Sequence, residues 1–325
     1  MIKKEEFFYD SRDGKTKIHA VKWIPEQCLA ENSKPVCIFQ IVHGMAEYVE
    51  RYEDFATFLA ERGFLVVGEH HLGHGDTIGK DGTPGYFCKT DAATVLVRDI
   101  HRLKKMMQEQ YPGVPYLLLG HSMGSFIVRN YLCRYGSGIE GAIIMGTGMQ
   151  SKALLTLTKV LARVIGLCGG EKKPSPLMDK LGFGTYTKQI KEPKSNMDWL
   201  SREESVVQAY LADPLCGFVF TANGFHTMGE LISRLHRIGY LEKMPKTLPI
   251  LLTAGAQDPV GEYGRAVKKV YEQYQQLGMQ KVTMKLYEGC RHELLNETDR
   301  ETIYEDIYQW AMKIVQNGNR GEPYV

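Results

Sequence analysis

Val114-Pro115-Tyr116-Leu117-Leu118-Leu119-Gly120-His121-Ser122-Met123-Gly124 is an apolar run that ends in a G-x-S-x-G pentapeptide, and a helical pattern follows it. This order predicts a buried strand, a sharp turn carrying Ser122, and a helix. The two glycines have a steric reason. Such a turn forces the serine backbone into a strained conformation, and side chains at the flanking positions would collide with the strand and helix packed there. Ser122 would then stand above the sheet as a nucleophile. Glycine and serine also crowd ordinary loops, so the motif gains its weight from lying between a strand and a helix.

Outward from this elbow the chain alternates strand and helix, which argues for a mostly parallel sheet covered on both faces. Glu6 to Asp10 and Lys17 to Trp23 flank the turn signal Ser11-Arg12-Asp13-Gly14 and read as a hairpin. A strand ending at Val42, a helix near Tyr52 to Arg62, the strand Phe64 to Gly68, a helix near Ala92 to Gln110, the Ser122 strand and its helix, and the strand Gly141 to Met145 follow. After Gly148 the alternation breaks. It resumes near Leu248 with a strand before Asp258, a helix near Arg265 to Leu277, the strand Val282 to Tyr287, and a last helix near Arg300 to Val315. The tail Gln316 to Val325, with Asn317-Gly318 and Gly321, is expected to be loose. The fold class is therefore α/β, an eight-stranded and mostly parallel sheet flanked by helices. The expected core is 1–149 with 245–325, and 150–244 is a helical cap inserted into it.

A serine on such an elbow is followed in chain order by its acid and then its histidine. The acid should end a strand. Asp179, Asp198 and Asp213 lie in irregular or helical sequence, whereas Asp258 follows Ile250-Leu251-Leu252-Thr253-Ala254-Gly255. Beyond Asp258 the sequence has a single histidine, His292, after a strand-like run and a turn at Gly289. The expected triad is Ser122, Asp258 and His292. His292 would take the Ser122 proton and return it to the leaving group, while Asp258 fixes the imidazole tautomer. The oxyanion of the tetrahedral intermediate needs preorganised N–H donors. His43-Gly44-Met45-Ala46-Glu47, directly after the Val36 to Val42 strand, sits where such a loop belongs. The backbone N–H groups of Met45 and Met123 are the expected donors. Glu47 and His43 read as braces of that loop, and His121 as a packed neighbour.

Taken together, H-G-M-A-E, G-H-S-M-G, A-G-A-Q-D and G-C-R-H-E resemble the monoacylglycerol lipase and lysophospholipase branch of the serine α/β-hydrolases, often labelled serine aminopeptidase-like. The likeness runs from about Phe7 to Val315. Asp213-Pro214-Leu215-Cys216, Phe220-Thr221 and Glu69-His70-His71-Leu72-Gly73-His74-Gly75 are also similar to segments of bacterial lysophospholipase-like members. One departure is clear: many relatives carry Asp-x-Arg-Gly-His-Gly after the fourth strand, where this chain has Glu69 and Leu72. The resemblance implies an α/β-hydrolase fold and a serine carboxylester hydrolase working through an acyl-enzyme on monoacyl lipids. An aminopeptidase or amidase of the same fold is the alternative. That activity would need a cap carboxylate for a substrate amine, and Glu203, Glu204 and Glu230 are available. A catalytically silent binding protein is a further alternative, because fold does not dictate function.

Composition suits a large soluble enzyme: 325 residues, 43% hydrophobic, 24% charged, formal net charge +2. The near-neutral balance leaves no nucleic-acid footprint, and the expected partner is a small lipid or ester substrate. Seven cysteines, at Cys28, Cys37, Cys88, Cys133, Cys168, Cys216 and Cys290, are scattered and odd in number, which argues against a disulfide framework. No leader-like apolar region opens the chain and no 18-residue apolar span is read in it, so a cytoplasmic location is expected, with possible peripheral contact at a membrane.

Within the cap, Leu154, Leu157, Leu161, Val164, Ile165 and Cys168 recur at helical spacing, with Lys152, Lys159 and Arg163 off much of the stripe. The stripe either packs against the protein or turns toward an acyl channel and a membrane surface. Leu154, Leu161, Val164, Trp199 and Phe225 are the expected substrate contacts, with Phe218, Phe220 and Met228 as further wall candidates. His70, His71, His74 and Asp76 hold metal-ligating groups. Their spacing lacks an H-x-x-x-H helical form, and Gly73 and Gly75 mark a loop, so no metal site and no cofactor is expected.

Overall fold

The computed structural model describes residues 2–30, 33–80 and 82–320, the last three of these by backbone alone. Its sheet has eight strands: β1 (Lys3–Asp10), β2 (Lys17–Ile24), β3 (Cys37–Val42), β4 (Phe64–Glu69), β5 (Tyr116–His121), β6 (Gly141–Met145), β7 (Ile250–Gly255) and β8 (Val282–Tyr287). The order across the sheet is β1-β2-β4-β3-β5-β6-β7-β8. β2 pairs antiparallel with β1 and β4, and the remaining neighbours pair parallel. Strand alternation feeds two cores, because both faces are covered. On β5, Tyr116 and Leu118 join one buried cluster while Leu117 and Leu119 join the other. The first cluster packs under α2 (Ala92–Gln110), α3 (Met123–Tyr135) and α9 (Arg265–Gln276). The second packs under α1 (Glu53–Ala60) and α10 (Arg300–Arg320). Each fully buried Leu on β5 contributes roughly 1.5–3 kcal/mol by leaving water.

Between β6 and β7 the chain leaves the sheet for α4 (Lys152–Ile165), α5 (Pro176–Phe183), α6 (Glu204–Ala212), α7 (Ala222–Arg234) and α8 (Ile238–Leu241). α4 begins at a proper cap, Ser151 accepting the Leu154 N–H, and ends in a break where Gly169 has φ 80°. α4 also corrects the reading of no long apolar span: Lys152–Gly170 has a mean hydropathy of 1.5 and only 11% of it is buried. One face rests on α7, where Lys159 reaches Glu230 at 3.4 Å and lies against Gly229. Elsewhere the helix exposes Val160 and Val164, with Leu157 exposed at the cavity and Leu167 exposed just beyond the helix end. The tail is a second correction. Residues 316–320 continue α10, and 321–325 of the expected loose tail lie outside the described residues.

Candidate active site

Ser122 sits between the end of β5 and the first residue of α3, with φ 52° and ψ −118°. This is a left-handed conformation that a non-glycine residue adopts only under constraint. The constraint is visible. A Cβ on Gly124 would lie 1.9 Å from the Val42 carbonyl oxygen, and one on Gly120 would lie 2.4 Å from the Gly124 carbonyl oxygen. The helix therefore starts against the end of β3, and the serine N–H is held by the Met145 carbonyl at 3.0 Å.

The next strand ends deliver the other groups. Asp258 follows β7 and is fully buried; His292 follows β8 and is 2% exposed. His292 Nδ1 lies 3.0 Å from Asp258 Oδ1, which also accepts the Val260 N–H at 2.9 Å. The imidazole nitrogen is in reach of the carboxylate but not aligned on it as a formed hydrogen bond. Asp258 Oδ2 and His292 Nδ1 have no hydrogen-bond partner among the described residues. Close backbone approach fixes the pair: a Cβ on Gly255 would lie 2.1 Å from the Arg291 carbonyl oxygen, and one on Gly146 3.0 Å from His292 Cε1. Trp199 packs on the His292 ring at 5.0 Å, and its carbonyl accepts the His292 N–H at 3.3 Å.

Beside Ser122 runs the segment after β3. Gly44 must be glycine here, since a Cβ would lie 2.5 Å from Glu47 Oε1 and 3.1 Å from Ser122 Cβ. Met45 borders the cavity next to Ser122. Met123 opens α3, and the N–H of a first-turn residue has no intrahelical acceptor. Both expected donors thus flank the serine. Ala46, with φ 53°, turns its N–H instead to His74 Nε2 at 3.2 Å. Its carbonyl accepts the Gly217 N–H at 3.0 Å and the Tyr210 hydroxyl at 3.1 Å. The inserted segment therefore grips this loop directly, and Tyr48 adds a hydrogen bond to Asp213 at 2.6 Å.

Glu47 is the buried anchor. Its Oε1 accepts the Gly44 N–H at 2.5 Å and the Tyr52 hydroxyl at 2.8 Å and lies 3.3 Å from His121 Nδ1, while Oε2 accepts from Arg51 at 2.8 Å. Burial alone would raise its carboxyl; the His121 hydrogen bond and the Arg51 charge outweigh that and hold it at about 2. Arg51 forks onto both oxygens of Glu293, at 2.6 and 2.7 Å, and His121 Nε2 lies 3.2 Å from the His292 carbonyl oxygen. Burial pushes the His121 pKa down, but the Glu47 hydrogen bond and charge leave it raised. One ionised network thus ties the three loops together. The sequence suggested Glu47 as a brace, but Arg51 and Glu293 were not singled out. Their signal, two ionisable groups in strand-end loops, is too common to stand out.

The expected histidine cluster is divided. His71 donates its N–H to His43 Nε2 at 3.1 Å, and its own Nε2 lies 3.2 Å from the His43 carbonyl oxygen. His74 Nδ1 lies 2.9 Å from the Leu72 carbonyl oxygen. Burial drives His43 well down, His71 to about 4 and His74 to about 3, so all three are neutral braces of the loop. His70 and Asp76 face elsewhere, toward His19.

A cavity of about 550 Å³ opens over Ser122 and His292. Leu154, Leu161, Trp199 and Phe225 line it, as do Phe218 and Met228. Two expectations are corrected. Val164 is 52% exposed and lies outside the lining, because it falls on the outward arc of α4. Phe220 is fully buried, in edge-on contact with the rings of His74, Phe87 and Phe225. The glutamates available for a substrate amine also lie outside the lining: Glu204 pairs with Lys194 at 2.5 Å, Glu230 with Lys159 and Arg234, and Glu203 accepts from Ser205. Asp179 and Glu262 do line the cavity, unforeseen from sequence.

Residues 33–299 match the family model described as "Serine aminopeptidase, S33". A monoacylglycerol lipase of Mycolicibacterium smegmatis is 26% identical over 301 residues, covering 89% of this chain and 91% of its own. The Homo sapiens monoglyceride lipase is 28% identical over 295 residues, covering 89% of this chain and 86% of its own. Among solved structures, a highly thermostable carboxyl esterase from Bacillus coagulans in complex with glycerol superposes with a TM-score of 0.87. It is 30% identical, and the match covers 97% of this chain and 100% of the esterase.

Proposed function

The chain belongs to the serine aminopeptidase S33 family, and within it we propose that it is a serine carboxylester hydrolase acting on monoacyl lipids, monoacylglycerols or lysophospholipids. One observation carries the reading. A strained elbow serine and His292, itself 3.0 Å from the buried Asp258, both line a mostly apolar cavity of about 550 Å³. The lipase names of the relatives and the esterase match support the ester and monoacylglycerol part.

In this reading Ser122 Oγ attacks the ester carbonyl while His292 takes its proton and Asp258 holds the ring and stabilises its charge. The N–H groups of Met45 and Met123 meet the oxyanion. Collapse breaks the ester C–O bond, and His292 returns the proton to the departing alcohol. Water, deprotonated by His292, then attacks the acyl-enzyme, and Ser122 recovers its proton as the fatty acid leaves. Leu154, Leu161, Trp199 and Phe225 hold the acyl chain. The division into a core of 1–149 with 245–325 and a cap of 150–244 follows the same reading. The exposed Val160, Val164 and Leu167, with Leu177 of α5 and with Leu157 and Leu181 exposed at the cavity, would meet a lipid surface during substrate uptake. Seven unpaired cysteines support a reducing, cytoplasmic setting.

The test is Ser122→Ala. It should abolish labelling by a fluorophosphonate and lower monoacylglycerol turnover by several powers of ten, with the melting curve retained. Near-native turnover in that variant ends the serine mechanism. Faster cleavage of an aminoacyl-nitroanilide than of any ester would favour the peptidase alternative, for which Asp179 and Glu262 are carboxylates lining the cavity.

A further inference from the structure

His19 on β2 and His70 just after β4 are buried, with side chains 2% and 0% exposed, and their Nδ1 atoms face each other 3.2 Å apart. Each ring is turned that way by a carboxylate behind it. His19 Nε2 lies 3.2 Å from Glu6 Oε2, and His70 Nε2 lies 2.6 Å from Glu50 Oε2. Carboxylates accept, so the neutral tautomer that each favours carries its hydrogen on Nε2 and turns its Nδ1 lone pair toward the other ring. His70 Nδ1 also accepts the Asp76 N–H at 3.0 Å, while His19 Nδ1 faces it at 3.2 Å, a spacing that a cation between the two nitrogens would suit. The third group is Asp76, whose Oδ2 is 3.9 Å from His19 Nδ1 and 3.8 Å from His70 Nδ1.

We propose that His19 Nδ1, His70 Nδ1 and the Asp76 carboxylate bind one divalent transition-metal ion of the zinc class, a site separate from the hydrolytic centre. The dimensions suit it. Two nitrogens each about 2.0–2.1 Å from zinc subtend a near-tetrahedral angle when they are 3.2 Å apart. Glu6 and Glu50 supply the outer carboxylates that orient metal-bound imidazoles. Three carboxylates around two imidazoles favour a dication, and the 61% exposed Asp76 side chain gives it a way in. Gly75 keeps the His70 nitrogen approachable, since a Cβ there would lie 2.3 Å from it. The contact that the ion displaces is the Asp76 N–H on His70 Nδ1 at 3.0 Å, so the Gly75–Asp76 turn shifts on binding.

Such an ion would pin the hairpin strand β2 to the loop whose next residues, His71 and His74, hold the segment beside Ser122. It would act on stability rather than on the chemical step. The inference does not depend on the ester-hydrolase reading, because its readouts are binding and melting.

The experiment uses the full chain without an affinity tag, dialysed against a chelator and titrated with zinc chloride by calorimetry and thermal unfolding. One ion per chain and a rise in Tm are expected. Asp76→Asn should weaken zinc binding by about tenfold or more while leaving the metal-free Tm unchanged, and His19→Ala should abolish it. Asp76→Asn decides the matter, because its carboxylate is exposed and its loss leaves the core intact. Absence of a saturable equivalent overturns the site. Wild-type affinity in Asp76→Asn, or a thiolate charge-transfer band with cobalt(II), would place the ion elsewhere and also overturn it.

Discussion

Glu47→Gln changes a charge and almost no volume, at the point where three loops meet. A carboxylate gives Gly44, Tyr52, His121 and Arg51 acceptors on both oxygens; an amide has one oxygen and must aim its NH₂ at a donor. If the oxygen stays with Gly44 and Tyr52, the NH₂ faces Arg51, formerly 2.8 Å from Oε2. Losing one partner of a buried ion pair costs about 3–5 kcal/mol when the other charge is left alone. Arg51 keeps both oxygens of Glu293, at 2.6 and 2.7 Å, so the loss should be nearer to one charge-assisted hydrogen bond, about 2–3 kcal/mol. Activity should suffer as well. Gly44 precedes the Met45 N–H, and losing one oxyanion donor outright costs about 100- to 1,000-fold, so a displaced one should cost about tenfold or more in kcat.

The pH dependence has a definite sign. The Glu47 carboxyl is held at about 2 against a usual 4.5, so its stabilisation is complete above that usual value and disappears as pH falls toward 2. The gap between wild type and Glu47→Gln should therefore be full at neutral pH and narrow below about 4.5. Urea unfolding at several pH values, with p-nitrophenyl butyrate turnover at pH 7, measures both effects. A variant within about 0.5 kcal/mol of wild type at neutral pH, with unchanged kcat, would refute the anchoring role.

Gly124→Ala should lower both stability, by about 1–3 kcal/mol or more, and ester turnover, because its methyl would meet the Val42 carbonyl oxygen at 1.9 Å and push α3 from β3. Normal melting and kcat in that variant would contradict the close approach. For p-nitrophenyl esters, kcat/KM should climb by up to about fourfold per methylene, the equivalent of about 0.8 kcal/mol, until the cavity is full. Leu161→Asp should reduce that slope while leaving acetyl ester hydrolysis nearly intact, since a charge in the cavity opposes chain burial without touching Ser122, Asp258 or His292. The same substitution at Val164 should do far less, because that side chain points outward. Equal effects of the two would remove Leu161 from the acyl path.

What the sequence determined by itself is local or periodic. Alternating strand and helix patterns set the layers, because both follow from near-neighbour backbone geometry and side-chain direction. Gly120 and Gly124 marked the elbow because the steric demand lies within a few residues of Ser122. Asp258 and His292 could be picked as strand-end positions by chain order together with the apolar runs that precede them. What only tertiary structure decided is where side chains distant in sequence meet. Helical periodicity gave α4 its apolar stripe but not its rotation, so Leu161 faces the cavity while Val164 faces out. Phe220 had the composition of a pocket wall, yet it packs on His74 and Phe87. The histidine-rich loop read as one cluster. The sheet divided it, because β2 lies beside β4 and brings His19 to His70 across 51 positions of sequence, while His71 and His74 turn to the loop beside Ser122. Such pairings depend on strand order and register, which no window of the sequence contains.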